Sequence, residues 1–186
     1  MPLPGLRWRF VTINTKNSWH HGSPRGFRAR GHRIHSTGDY RKPPPEGEHV
    51  GLLRYRLARA EKKVLLPSDV RPRISVALVE SLVTWRLKVM SVSSDHAHML
   101  IELPDVPSAI KSIVGGAKRH ASREVRDVLP GAIWSAGCDC QAVDDAEHFN
   151  ACVEYALIKQ GAGTWTWSHV DGGMWHEQRV KIWKPK

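Results

Sequence analysis

Alternating apolar and polar positions near the start of the chain predict its first strand. Residues 6–15 place Leu6, Trp8, Phe10 and Thr12 on one side, with arginines and β-branched residues on the other. A period of two, with aromatic and β-branched side chains, is typical of a strand.

Three later segments have the helical spacing of apolar residues. Residues 66–85 open with a Pro-Ser cap signal, residues 107–128 begin with another Pro-Ser pair, and residues 146–160 follow Asp144 and Asp145, which can cap a helix. The side chains expected to face the core from the second helix are Ile110, Ile113, Val114, Ala117 and Ala121.

Short apolar runs complete the pattern. Residues 87–92 and 98–103 flank a polar turn and predict an antiparallel pair, and residues 132–134 and 140–143 indicate short extended pieces. The resulting order is strand, helix, strand, strand, helix, short strand, helix. It predicts an α+β fold in which an antiparallel sheet has its helices packed on one face.

The length of the chain limits the number of its domains, and its net charge indicates the kind of partner it binds. The 186 residues predict a single domain, residues 1–186, with a basic loop insertion at about 16–49 and a Trp-rich basic tail at about 162–186. Lys and Arg outnumber Asp and Glu by 28 to 18, giving a net charge of +10. This excess favours a polyanionic partner, with solubility alone as the alternative explanation.

The cysteines and the hydropathy point to a reducing compartment. The three cysteines are an odd number, and Cys138 and Cys140 are too close in sequence for a comfortable disulfide bond. No second pair follows at zinc-finger spacing, so we interpret the cysteines as small half-buried residues. Without an apolar run of membrane-spanning length or an apolar signal core, we expect a soluble, cytoplasmic protein with no membrane partner.

The histidines of the second apolar run are candidate metal ligands. His96 and His98 are two residues apart, so on a strand their imidazoles project from the same face. Two imidazoles can hold a divalent ion when a third ligand comes from elsewhere. A surface or hydrogen-bonded pair is the alternative.

The last helix carries an unusual tyrosine. Its expected apolar face contains Phe149, Val153, Ala156 and Gln160, whereas Tyr155 lies away from this stripe. Tyr155 is therefore either a half-buried edge residue or a functional group.

The sequence resembles the single-tyrosine HUH transposases, and most closely the REP-associated tyrosine transposases. The similar segments are the Asp-His-Ala-His-Met-Leu-Ile run at residues 95–101, Ile-Trp at 133–134, Val-Asp-Asp-Ala-Glu-His-Phe at 143–149 and Val-Glu-Tyr at 153–155. The resemblance covers residues 65–161 and the first strand. The loop insertion and the Trp-rich tail have no counterpart that we can place.

The resemblance implies a ferredoxin-like sandwich and a metal-dependent single-stranded DNA endonuclease and strand transferase. His96 and His98 would bind Mg²⁺ or Mn²⁺, and Tyr155 would attack a phosphodiester to leave a 5′-phosphotyrosine and a free 3′-hydroxyl. The partner would be single-stranded or hairpin DNA, and some members of the family form homodimers. A nearby divalent ion would stabilise the phenolate of this otherwise poor nucleophile.

One position departs from the family pattern. The family usually has Gln or Asn four residues after the tyrosine as a third metal ligand, but this chain has Lys159 there and Gln160 next. A one-residue bulge would bring Gln160 to the metal. Alternatively, Lys159 replaces part of the metal's charge, or the site has lost its activity.

Nucleic-acid contacts are expected from basic and aromatic residues. The tryptophans of the tail are candidates for stacking on unpaired bases, with core packing as the alternative: Trp165, Trp167, Trp175 and Trp183. Two alternative functions remain open: a catalytically inactive nucleic-acid-binding protein of the same fold, and a metal-dependent hydrolase of a small phosphorylated substrate. The expected basic contact residues are Lys111, Lys118, Arg119, Arg123 and Lys159.

Overall fold

The computed structural model describes residues 2–20, 23 and 45–169, together with the backbone of residues 182–183. Most of the loop insertion and the distal part of the Trp-rich tail lie outside these residues. In the described part of the chain, no helix is long and apolar enough to cross a membrane. The elements are β1 (Leu6–Asn14), α1 (Val50–Arg59), α2 (Arg71–Leu82), β2 (Val89–Val92), β3 (His96–Pro104), α3 (Pro107–Glu124), β4 (Asp139–Ala142), α4 (Ala146–Leu157), β5 (Trp165–Ser168) and β6 (Ile182–Trp183).

The strands form one sheet in the order β4-β1-β3-β2-β5-β6. Every neighbouring pair is antiparallel. The β1-α2-β2-β3-α3-β4 chain order, with β1 and β3 in the centre, is the ferredoxin-like arrangement. The predicted α+β class and the β2–β3 pair are therefore confirmed, while β5 and β6 extend the sheet beyond the predicted strands.

The helices lie on both faces of the sheet. The larger core lies on the α2 and α3 side and includes Ala97 and Met99 of β3. A second cluster on the other side joins Leu100 of β3 to Cys152 and Ala156 of α4. The prediction that the helices pack on one face is thus right for α2 and α3 and wrong for α4. The reason is that β3 is buried on both faces, with His98, Leu100 and Glu102 on the face that α4 covers, and a strand buried on both faces needs cover on each.

Element ends and one helix differ from the predictions. The predicted pair of strands, β2 and β3, and the helix α3 begin close to their expected positions. In contrast, α2 begins only at Arg71 and α4 already ends at Leu157. Asp145 caps α4 as predicted, its Oδ1 accepting a hydrogen bond from the His148 backbone N–H at 2.7 Å. α1 was not predicted, because it buries none of its residues and so has no core-facing stripe to detect.

Lys118 is a structural residue rather than an exposed cation. It is buried in α3 together with the predicted core residues of that helix. Its Nζ donates hydrogen bonds to the Ser135 carbonyl at 2.5 Å and the Gly137 carbonyl at 2.7 Å. Burial lowers the pKa of this ammonium. Its charge therefore fastens the segment before β4 to α3. Lys118 also lines a groove with Arg119 and Arg123, and its contact with nucleic acid stays a prediction.

We expect Lys118→Met to lower the free energy of unfolding by about 1–3 kcal/mol, because two carbonyls lose their shared donor. Urea denaturation measures this loss. Lys111→Met, which removes an exposed lysine from the same helix, should change stability by less than about 0.5 kcal/mol. Equal denaturation midpoints for the two variants would contradict the structural role of Lys118.

Candidate active site

His96 and His98 lie side by side at the start of β3, on the face that α4 covers. Their ring centroids are 4.6 Å apart. In the sheet register His96 is opposite Asn14 and His98 is opposite Thr12 of β1. The strand period predicted from the sequence therefore brings the two imidazoles together as expected.

Each imidazole is held through its Nδ1 atom. The Asp95 carboxylate lies 2.6 Å from Nδ1 of His96, and the Thr12 hydroxyl lies 2.9 Å from Nδ1 of His98. Lys63 in turn donates to Asp95 at 2.5 Å. An oxygen partner on one ring nitrogen fixes the orientation of the ring and directs the other nitrogen to a ligand. Nε2 is therefore the atom that each histidine can offer to a cation.

The electrostatics of the pair suit a metal ligand. Burial lowers the pKa of His98 to about 3, and the charge of His96 adds to this effect. His98 is therefore a neutral imidazole at neutral pH, the form that binds metals. Burial acts against ionisation of Asp95, but its hydrogen bonds with Lys63 and His96 hold the pKa of its carboxyl below the usual value.

Gln160 reaches the histidines because α4 ends early. The helix stops at Leu157, and the Lys159 backbone N–H donates to the Glu154 carbonyl at 3.4 Å, five residues back. This wider last turn places Gln160 Oε1 3.3 Å from Nε2 of His96. The amide of Gln160 also donates to the Tyr155 carbonyl at 2.9 Å.

Tyr155 lies against His98 on the exposed side of α4. The two ring centroids are 5.2 Å apart, and the tyrosine remains 43% exposed. Phe10 of β1 stacks on His98 at 5.3 Å and meets Tyr155 edge-on at 5.9 Å. The phenol is therefore oriented by two rings yet accessible to a large substrate.

The donor set fits a divalent ion. Among the described residues, no three His, Cys, Asp or Glu side chains form a cluster that would hold a metal. The third donor beside the two imidazoles is instead the amide oxygen of Gln160, which lies 3.3 Å from Nε2 of His96. Imidazole nitrogens and an amide oxygen are both ligands of divalent ions, and three such donors leave positions for a substrate oxygen.

Lys159 points elsewhere. Its Nζ pairs with Glu154 at 3.1 Å, with its side chain 59% exposed. The structure thus brings together Tyr155, His96, His98 and Gln160, and leaves Lys159 at the surface beside them.

Basic residues of α3 line a groove on the side of the sheet opposite α4. The groove has a volume of about 460 Å³. Two of its arginines, Arg119 and Arg123, were predicted contacts, whereas Lys111 is exposed outside the groove. Arg126 and Trp134 also line it and were not singled out as contacts from the sequence.

The tryptophans of the tail divide into three groups. Trp167 is 1% exposed in the larger core, so the prediction that it stacks on bases is wrong. Trp165 is half-buried. Trp175 lies outside the described residues, and only the backbone of Trp183, in β6, is described.

Sequence reasoning missed the residues that orient the site. Thr12, Lys63 and Phe10 were missed because their roles depend on which residues face them across the sheet or from a loop. The strand period places Thr12 and Phe10 on one face of β1, but only the β1–β3 register shows that this is the face of His98.

No protein-family model matches the chain, and no curated protein does. One solved structure with a similar fold is a REP-associated tyrosine transposase bound to a REP hairpin, at 14% sequence identity. The similarity covers 86% of this chain and 68% of that chain, with a TM-score of 0.44.

Proposed function

We propose that this protein is a metal-dependent single-stranded DNA endonuclease and strand transferase that forms a 5′-phosphotyrosine intermediate. The observation that carries the proposal is the convergence of Tyr155 with His96, His98 and Gln160 from two elements that are distant in sequence. Tyrosine is one of the side chains that form covalent intermediates, and a histidine pair beside it that can hold a divalent ion would supply the charge that activates it.

The chemistry assigned to the chain is a transesterification. The hydroxyl oxygen of Tyr155 attacks the phosphorus, the bond to the 3′-oxygen breaks, and the 3′-oxygen takes up a proton as the phenol proton leaves to solvent. The phosphotyrosine link retains the energy of the broken bond, so a 3′-hydroxyl can later reverse the step. The edge contacts of Phe10 and His98 hold the phenol in one orientation during the attack.

His96, His98 and Gln160 would hold the divalent ion, Mg²⁺ or Mn²⁺. A bound ion supplies charge that stabilises the phosphorane-like transition state and the phenolate. Asp95 and Thr12 keep the histidine rings in place. Asp95 and Thr12 would hold the rings in the same way for Mg²⁺ and for Mn²⁺.

A polymer substrate accounts for the exposed tyrosine and for the basic groove. A small phosphorylated substrate is usually enclosed in a cleft, whereas Tyr155 is 43% exposed at the surface. Arg119 and Arg123, four residues apart on α3, and Arg126 in the turn that follows the helix form a basic surface suited to a phosphate backbone.

The direct test uses single-stranded DNA from the flanks of the gene, labelled at the 5′ or the 3′ end and incubated with the protein and Mn²⁺ or Mg²⁺. A covalent adduct on a denaturing gel that carries only the 3′-end label, and that needs metal, is the expected result. An adduct that carries the 5′-end label would contradict the 5′-phosphotyrosine. Loss of both labels to fragments without an adduct would indicate a hydrolase instead.

The second candidate is a DNA-binding protein without cleavage, and the groove favours it. The groove lies on the α3 side of the sheet, so binding there needs neither Tyr155 nor the histidines. The gel separates the two candidates, because only the first forms an adduct.

Arg119→Ala and Arg123→Ala are each expected to weaken DNA binding equally for all sequences. Each should reduce the slope of log K against log salt by about 1, since each removes one phosphate contact. Fluorescence anisotropy at several salt concentrations measures the slope. Arg59→Ala, which removes the same charge from α1, is the control; an identical slope change in all three variants would mean that only net charge matters.

A further inference from the structure

A second cavity lies on the α4 side of the sheet, at the opposite end of α4 from Gln160. It has a volume of about 620 Å³, within the range that encloses a small planar ligand. Trp8 and Phe149 line it, and their rings meet edge-to-face at 5.0 Å. Nothing in the proposed chemistry uses this cavity.

The aromatic wall of the cavity is held in place. The guanidinium of Arg86 lies 5.6 Å from the centroid of the Trp8 ring. Arg86 also donates a hydrogen bond at 2.6 Å to Glu102, whose side chain is fully buried. A fixed aromatic wall beside a guanidinium is a surface on which an unpaired base stacks with little loss of side-chain entropy.

Phe10 lies between the cavity wall at Trp8 and the ring of Tyr155. Trp8 and Phe10 are two residues apart on β1, so they project from the same face about 7 Å apart. Phe10 contacts both His98 and Tyr155. A strand whose phosphate is at Tyr155 therefore has a neighbouring nucleotide within reach of Trp8.

The polar rim of the cavity selects among bases. Asp144 and Asn150 line the rim and are both exposed. A carboxylate only accepts hydrogen bonds, so it favours an exocyclic amino group and repels a carbonyl. An asparagine amide pairs with the N6 and N7 atoms of adenine through two hydrogen bonds.

We propose that this cavity binds an unpaired adenine of the DNA strand whose phosphodiester lies at Tyr155, with Trp8 and Phe149 as the stacking surface and Asn150 and Asp144 as the selecting groups. The inference rests on the proposed function for its choice of ligand. It adds a sequence requirement close to the point of attack, separate from the basic groove on the other side of the sheet.

The test measures binding without cleavage. Tyr155→Phe protein is titrated, in EDTA, with an oligothymidylate and with versions carrying a single adenine at successive positions. Adenine at one position should tighten binding by about 5- to 150-fold, the range for one bidentate base contact. In the Asn150→Ala background this preference should fall below about two-fold, whereas Glu147→Ala, one turn away and outside the cavity lining, should keep it.

Two outcomes overturn the inference. One is equal binding of all the oligonucleotides, and the other is an adenine preference that survives Asn150→Ala. Because no adduct is measured here, a protein that fails to cleave DNA can still have the adenine preference. Conversely, equal binding of all the oligonucleotides contradicts the adenine cavity but not the nuclease, which the adduct gel tests separately.

Discussion

Tyr155→Phe is expected to abolish the covalent protein–DNA adduct, lowering its rate of formation by at least about three orders of magnitude. The phenylalanine keeps the ring that contacts Phe10 and His98. It removes only the oxygen that would attack the phosphorus. DNA binding should therefore stay within about two-fold of the wild-type affinity, as for other substitutions that leave packing unchanged. Adduct formation is quantified on a denaturing gel with labelled DNA and Mn²⁺.

Tyr55→Phe is the matched control. Tyr55 is 53% exposed on α1 and carries a guanidinium, that of Arg59, over its ring at 3.9 Å. It resembles Tyr155 in exposure but lies on a helix that contributes nothing to the histidine site. Retained adduct formation in Tyr155→Phe, or its loss in Tyr55→Phe, would refute Tyr155 as the nucleophile.

Asp95→Asn is expected to weaken Mn²⁺ binding by about 10- to 100-fold, the usual cost of removing a partner from a metal-ligating histidine. The carboxylate of Asp95 accepts hydrogen bonds from both Lys63 and His96. The amide of asparagine carries no negative charge, so it cannot replace the carboxylate in both contacts. The imidazole of His96 would lose the partner that fixes its orientation. Electron paramagnetic resonance of free Mn²⁺ during a titration gives the dissociation constant.

Asp105→Asn provides the comparison for this variant. Asp105 is a surface carboxylate that pairs with Arg7 and Arg9, away from the histidines. It should bind Mn²⁺ like the wild type, since only general charge is removed. If Asp95→Asn also binds Mn²⁺ like the wild type, His96 is not held for a metal in the way that we infer.

The parts of the site that follow a local period were accessible from the sequence. His96 and His98 share a face because a strand repeats every two residues, and Tyr155 is off the core stripe because a helix repeats every 3.6. The exposure of Tyr155 confirms that second prediction. Cys152, three residues before Tyr155 and on the same side of the helix by that period, is nevertheless buried under α4.

Features of the site that depend on tertiary contacts could not be predicted from the sequence. Lys118 has the position of a solvent-facing cation in the helical pattern, and only the loop carbonyls of Ser135 and Gly137 make its burial favourable. The position of Gln160 depends on where α4 ends, and the pattern placed that end three residues too late. The side of the sheet that α4 covers was also undetermined, because periodicity gives the face of an element and not its partner.

The two core clusters have a consequence for how the molecule opens. α4 is fastened by a small group of buried residues of its own, whereas α2 and α3 share the extensive core on the other side. A helix held by few buried contacts opens at a lower free energy than the rest of a domain. Backbone amides of α4 should therefore exchange with deuterium earlier than those of β3, so that Tyr155 can leave and return while the histidine pair keeps its place.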